Sequence, residues 1–87
     1  QSLSTNEVEF KNEVVIYPNP AQNNIKINTS LPFTKIQLFN LAGKKLVEHS
    51  GLQQTSFSFD VSHLSAGIYW VKIFNDSNLT FKNLIVN

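Results

Sequence analysis

The chain has 87 residues, of which 41% are apolar and 15% charged, with a formal net charge of +1. That is material for one small domain with a single core and a stability of roughly a few kcal/mol. The absence of Arg and the scatter of the seven Lys exclude a nucleic-acid surface, and the absence of Cys excludes disulfides, thiol chemistry and Cys-based metal sites. No apolar run approaches the ~18 residues of a membrane span, and no secretory leader is visible. The chain begins with Gln1 and not Met, so it is expected to be a piece of something longer.

Residues 1–13, "QSLSTNEVEFKNE", are polar and hold half of the acidic residues. They are expected to be a flexible linker. From Val14 onward the apolar period is two, which is the period of half-buried strands. The first run, "VVIY", meets Pro18-Asn19-Pro20. Proline fixes φ and donates no backbone hydrogen bond, so the strand is expected to end at Tyr17 in a rigid corner. Ile25 and Ile27 then alternate with Lys26 and Asn28. "SLP" at 30–32 reads as a turn. Ile36 and Leu38 alternate with Lys35 and Gln37, and "NLAGKK" at 40–45 reads as a hairpin turn. Phe57, Phe59 and Val61 alternate with Ser56, Ser58 and Asp60. "SHLSAG" at 62–67 has room for a single helical turn, after which Gly67 supplies the backbone freedom to start the next strand. Tyr69, Val71 and Ile73 share one face of "GIYWVKIFN", "NDSN" at 75–78 reads as a hairpin turn, and "LTFKNLIVN" closes the chain as a strand. About seven short strands with regular punctuation predict an all-β, immunoglobulin-like sandwich of antiparallel strands in two sheets.

One strand breaks the simple alternation. The second face of "GIYWVKIFN" carries Ile68, Trp70 and Phe74, interrupted only by Lys72. Two readings follow: partial cover by neighbouring long side chains, including the stem of Lys72, or a patch on which a partner docks. Catalysis finds no support. His49 and His63 each sit among polar residues and are expected to be solvated; neither has the converging ligands a zinc site needs. No Ser lies in a nucleophile elbow, and no carboxylate pair suits acid–base chemistry. No cofactor is implied.

Three stretches in order, "YPNP" at 17–20, "LFNLAGKKL" at 38–46 and "LSAGIYWVKI" at 64–73, precede a Lys-containing final strand. This set resembles the C-terminal sorting domain of the type IX (Por) secretion system, type A family. The resemblance runs from Val14 to Val86. It assigns Pro18, Asn19 and Pro20 to the opening motif, and Asn40 and Gly43 to the middle hairpin. Leu64, Gly67 and Tyr69 fall in the third motif, and Lys82, Leu84 and Val86 in the last. Members often finish in Lys or Arg, whereas this chain ends in Asn87. What the resemblance implies is a non-catalytic secretion signal, residues 14–87, following a linker and an N-terminal cargo. Its implied partners are the outer-membrane translocon with its shuttle protein and a sortase-like surface protease. Its implied route is through the periplasm to the cell surface or the medium. The rival reading is an immunoglobulin-like adhesion or carbohydrate-binding module, with Trp70 and Tyr17 as sugar-stacking aromatics.

Overall fold

The computed structural model describes residues 13–76 and 78–87. The expected linker therefore lies, but for Glu13, outside the described residues. Seven strands form: β1 (Val15–Tyr17), β2 (Asn24–Phe33), β3 (Lys35–Phe39), β4 (Lys45–His49), β5 (Gln54–Asp60), β6 (Gly67–Phe74) and β7 (Leu79–Val86). They make one sheet of order β1-β2-β5 and a second of order β4-β3-β6-β7, every pair of neighbours antiparallel. This is the expected all-β, immunoglobulin-like sandwich.

The period-two pattern decides what lies between the sheets. Ile25 and Ile27 of β2 face Ile36 and Leu38 of β3, Tyr69, Val71 and Ile73 of β6, and Leu84 and Val86 of β7 across one apolar layer. Thr80 is the one buried polar residue among those described. No buried charge has to be neutralised, so the core is stabilised by apolar burial and close packing. Phe57 and Phe59 of β5 are only half-buried, because β5 is the edge of its sheet. Their rings meet His49 at centroid distances of 4.9 and 5.4 Å. His49 is thus not the solvated residue its polar neighbours suggest. It is half-buried and closes the open flank between the edge strands β4 and β5. His63 is exposed, 4.0 Å from Asp60, as expected.

"SLP" is not a turn. It lies inside β2, where the ladder to β5 shifts register between Asn28 and Phe33. Proline cannot donate to a ladder, and Pro32 sits where β2 has no partner assigned. The chain changes sheet one residue later. The N–H of Thr34 donates to the Phe74 carbonyl (2.8 Å) and its carbonyl accepts from Leu52 N–H (3.0 Å), which pins the crossing to both neighbours. "SHLSAG" forms a turn, with Leu64 N–H donating to the Val61 carbonyl at 3.0 Å, and not a helix.

Gly67 opens β6 at φ +156°, a backbone conformation that L side chains rarely adopt. No atom lies within 4 Å of where its Cβ would stand, so conformation and not crowding demands glycine. Gly67→Ala and Gly67→Val should therefore destabilise the domain by similar amounts, roughly 1–3 kcal/mol. Thermal melts of the two variants check this. A wild-type melt for either one removes the backbone role, and a Val cost far above the Ala cost shows a steric one.

Candidate functional site

The strand β7 has β6 on one side only, so its outer edge presents unpaired backbone groups. Residues 19–21 cover that edge. Asn19 Nδ2 donates to the Asn83 carbonyl (3.1 Å) and Asn19 Oδ1 accepts from Ile85 N–H (2.9 Å). Ala21 continues the line: its N–H donates to the Ile85 carbonyl (2.7 Å) and its carbonyl accepts from Asn87 N–H (2.8 Å), a parallel bridge to Val86. The reason for Asn between two prolines is now physical. Pro18 and Pro20 have no N–H, so the backbone here is short of donors. A carboxamide carries the same donor and acceptor as a peptide group and takes its place in the pattern. Ala21 is fully buried, which seats this segment against the core. The peptide bonds before both prolines are cis.

The middle hairpin is built by the other two motif residues. Asn40 and Lys44 close it through Asn40 N–H to the Lys44 carbonyl (3.0 Å), and Gly43 N–H donates to the Asn40 carbonyl (3.0 Å). Asn40 Oδ1 accepts from Lys44 N–H at 3.0 Å. Gly43 has φ +88° and stands at the position of a three-residue hairpin loop that needs the left-handed region. In the third motif, Leu64 packs on the core and Tyr69 is buried, its hydroxyl donating to the Ser65 carbonyl at 2.6 Å. A tyrosine early in a strand bonding back to the preceding turn is the arrangement of a tyrosine corner. In the last motif, Leu84 and Val86 point into the core and Lys82 is half-buried on the same row.

The second feature is the outward face of the four-stranded sheet. On β6, Ile68 and Trp70 are 48% and 41% exposed and Phe74 is half-buried. Sheet pairing enlarges the patch that the sequence marked. Register puts Phe81 opposite Lys72, Ile85 opposite Ile68 and Leu79 opposite Phe74, and all three β7 residues are exposed. Trp70 and Phe81 meet edge to face at 6.4 Å. Lys72 holds its ammonium over this surface, 5.1 Å from the Phe74 ring and 5.4 Å from the Phe81 ring, and Lys35 lies 4.6 Å from Phe74. Lys72 shades the rings, as partial cover requires, and the rest of the apolar surface meets solvent. Between Trp70, Phe81 and the Asn40–Gly43 turn the face sinks into an open depression of about 570 Å³. Among the described residues the one carboxylate on this face, Glu48, accepts from Lys45 (2.5 Å) and Gln37 (2.9 Å), and those bonds hold its pKa below the ordinary value.

A family model described as the secretion system C-terminal sorting domain matches residues 15–87. The chain belongs to that family. It is a type IX secretion sorting domain, a signal for export to the cell surface or the medium. Among solved structures, the sorting domain is similar to PorZ, an essential bacterial surface component of the type-IX secretion system of Porphyromonas gingivalis. That likeness has a TM-score of 0.75 at 14% identity over 93% of this chain, and it shows the fold. The sorting domain spans 12% of the length of that PorZ chain. No curated protein sequence matches it significantly. Among the described residues of the sorting domain, no helix is long and apolar enough to cross a membrane.

The structure joins the first and last motifs to each other, while the second and third each stabilise a separate turn. Phe81, Ile85 and Leu79 escaped the sequence reading; the signal for them was the alternation in "LTFKNLIVN", which places them opposite Leu84 and Val86. For the corner, Asn19→Asp should cost about 1–2 kcal/mol despite its near-identical shape, because the donor to Asn83 is lost and a carboxylate then faces a carbonyl. Asn19→Ala should cost about the same. Urea melts decide the matter, and two wild-type midpoints would remove the corner from the stability of β7.

Proposed function

We propose that this sorting domain is a non-catalytic address label, recognised as a folded unit by the outer-membrane translocon and its shuttle protein after its cargo has reached the periplasm. The cargo is linked on the N-terminal side. The sortase-like surface protease then cuts at or upstream of residues 1–13, and the cargo is released or anchored. The observation that carries the folded-label reading is the four-bond junction of residues 19–21 with β7. Motifs at the two ends of the domain exist as one surface only when the sandwich is closed. A cut upstream follows from the pairing of the chain from β1 onward, since proteolysis needs extended backbone free of sheet partners. The adhesion or carbohydrate-binding reading gains nothing here. Tyr17 lies on the three-stranded sheet, bonded to Asn28 at 2.9 Å, while Trp70 lies on the other sheet, so the two aromatics form no common platform.

The test is a leader-bearing fluorescent protein fused to residues 1–87, in a host with this secretion system. The fusion should appear outside the cell, whereas the same fusion lacking the domain should stay in the periplasm. Deleting Lys82–Asn87 removes Leu84, Val86 and the partners of Asn19, and it should retain the cargo. Full export of that truncation would show that the last strand is no part of the signal. Limited proteolysis with mass spectrometry checks the cut: early cleavage should fall within residues 1–13, and first cuts within 18–87 would refute a compact label.

A further inference from the structure

The two outward faces of the sandwich differ in kind. On the three-stranded sheet, β2 and β5 turn Asn24, Lys26, Asn28, Ser56, Ser58 and Asp60 outward, the polar partners of a pleat whose other side is core. The four-stranded sheet turns aromatic and aliphatic side chains outward from both β6 and β7. Its side chains are pre-ordered by the ring contact of Trp70 with Phe81 and by Lys72 lying across Phe74 and Phe81. Ordered rings flanking a depression are what an anchoring side chain needs in order to bind at low entropic cost.

Charge narrows the occupant. Among the described residues, Lys72 stands over the rings with no ion pair, Lys35 stands over Phe74 with Glu48 acting on it only from a distance, and Glu48, the one acid described on this face, is held by Lys45 and Gln37. A second copy meeting this face with its own would bring those cations against like cations, with the one described acid of the face already held, which disfavours self-association face to face. An apolar segment with carboxylates beside its anchoring residues meets both the rings and the ammonium groups.

We propose that the outward face of the four-stranded sheet, centred on Trp70 and Phe81 and crossed by Lys72, is the surface by which the secretion machinery holds this domain, and that its occupant is an apolar protein segment bearing carboxylates. This rests on the sorting function and adds to it the surface and the chemistry of the partner. The depression accepts one apolar side chain of that segment, and its carboxylates take Lys72 and Lys35. The Asn40–Gly43 turn forms one wall of the depression, so the middle motif shapes the site.

Trp70 is the sole tryptophan and reports occupancy directly. The probe is a short blocked peptide alternating leucine with glutamate, compared with versions in which glutamine or lysine replaces each glutamate. The glutamate peptide should shift Trp70 emission and bind roughly tenfold more tightly than the lysine peptide, an advantage that salt erodes. Lys72→Glu should reverse the preference. Equal binding of the glutamate and glutamine peptides, or no shift with any peptide, would overturn the proposal. In the export assay, Trp70→Ser at an exposed position and Lys72→Glu at a half-buried one, both checked to melt as wild type, should cut export by about tenfold. Wild-type export of these folded variants refutes this face as the recognition surface. If the fusion lacking the whole domain is exported equally well, it is the sorting function that fails, and the peptide titration decides the face alone.

Discussion

The carboxamide of Asn19 is the point on which this fold closes. The last strand of a sandwich is an edge, and an open edge is both a weak place and a template for unwanted pairing. Here the outer groups of its end, from the Asn83 carbonyl to the Asn87 N–H, are bonded by a side chain and one residue of backbone from the start of the domain, in four hydrogen bonds between 2.7 and 3.1 Å. Each is worth only about 1 kcal/mol net. In a domain whose total stability is of that order times a few, their sum decides whether β7 stays in the sheet. Since β7 supplies Leu84 and Val86 to the core, the corner and the core are one cooperative unit.

The same closure limits where a partner strand could join this sheet. With residues 19–21 bonded along Asn83–Asn87, the second half of β7 offers no free ladder to which a partner strand could add. The outward face of this sheet is apolar, ring-lined and cationic, and it stays open when that part of the edge is covered. Both the corner and the face exist only in the folded domain. An unfolded chain has the motif residues but neither the joined corner nor the paired strands that place Trp70 beside Phe81.

Much of this was legible from residue order. Local rules suffice where the cause is local: the period of two, the end of β1 at Tyr17, the left-handed glycine of the 40–43 turn and the strained glycine that opens β6 all lie within a few residues of their signal. The partners of Asn19 do not, being 64 and 66 residues away, and nothing in "YPNP" names them. Resemblance to a family singled out Asn19 without giving its partners on the last strand. His49 was misread because its neighbours in sequence are polar while its neighbours in space are Phe57 and Phe59. "SLP" was misread because a proline in a strand is allowed where the ladder has lapsed, and the lapse depends on the partner strand. The sequence shows the apolar patch on β6 alone, and its other half comes only with the register of β7.

Native-state amide hydrogen exchange tests the junction most directly. The N–H groups of Ile85, Asn87 and Ala21 lie on the outer side of an edge strand, where an uncovered sheet exchanges quickly. If the corner and the last strand are one unit, these three amides exchange only in the global opening, as slowly as those of the central strand β6. Exchange of Ile85 and Asn87 at the rate of exposed backbone, with β6 still protected, would contradict the account.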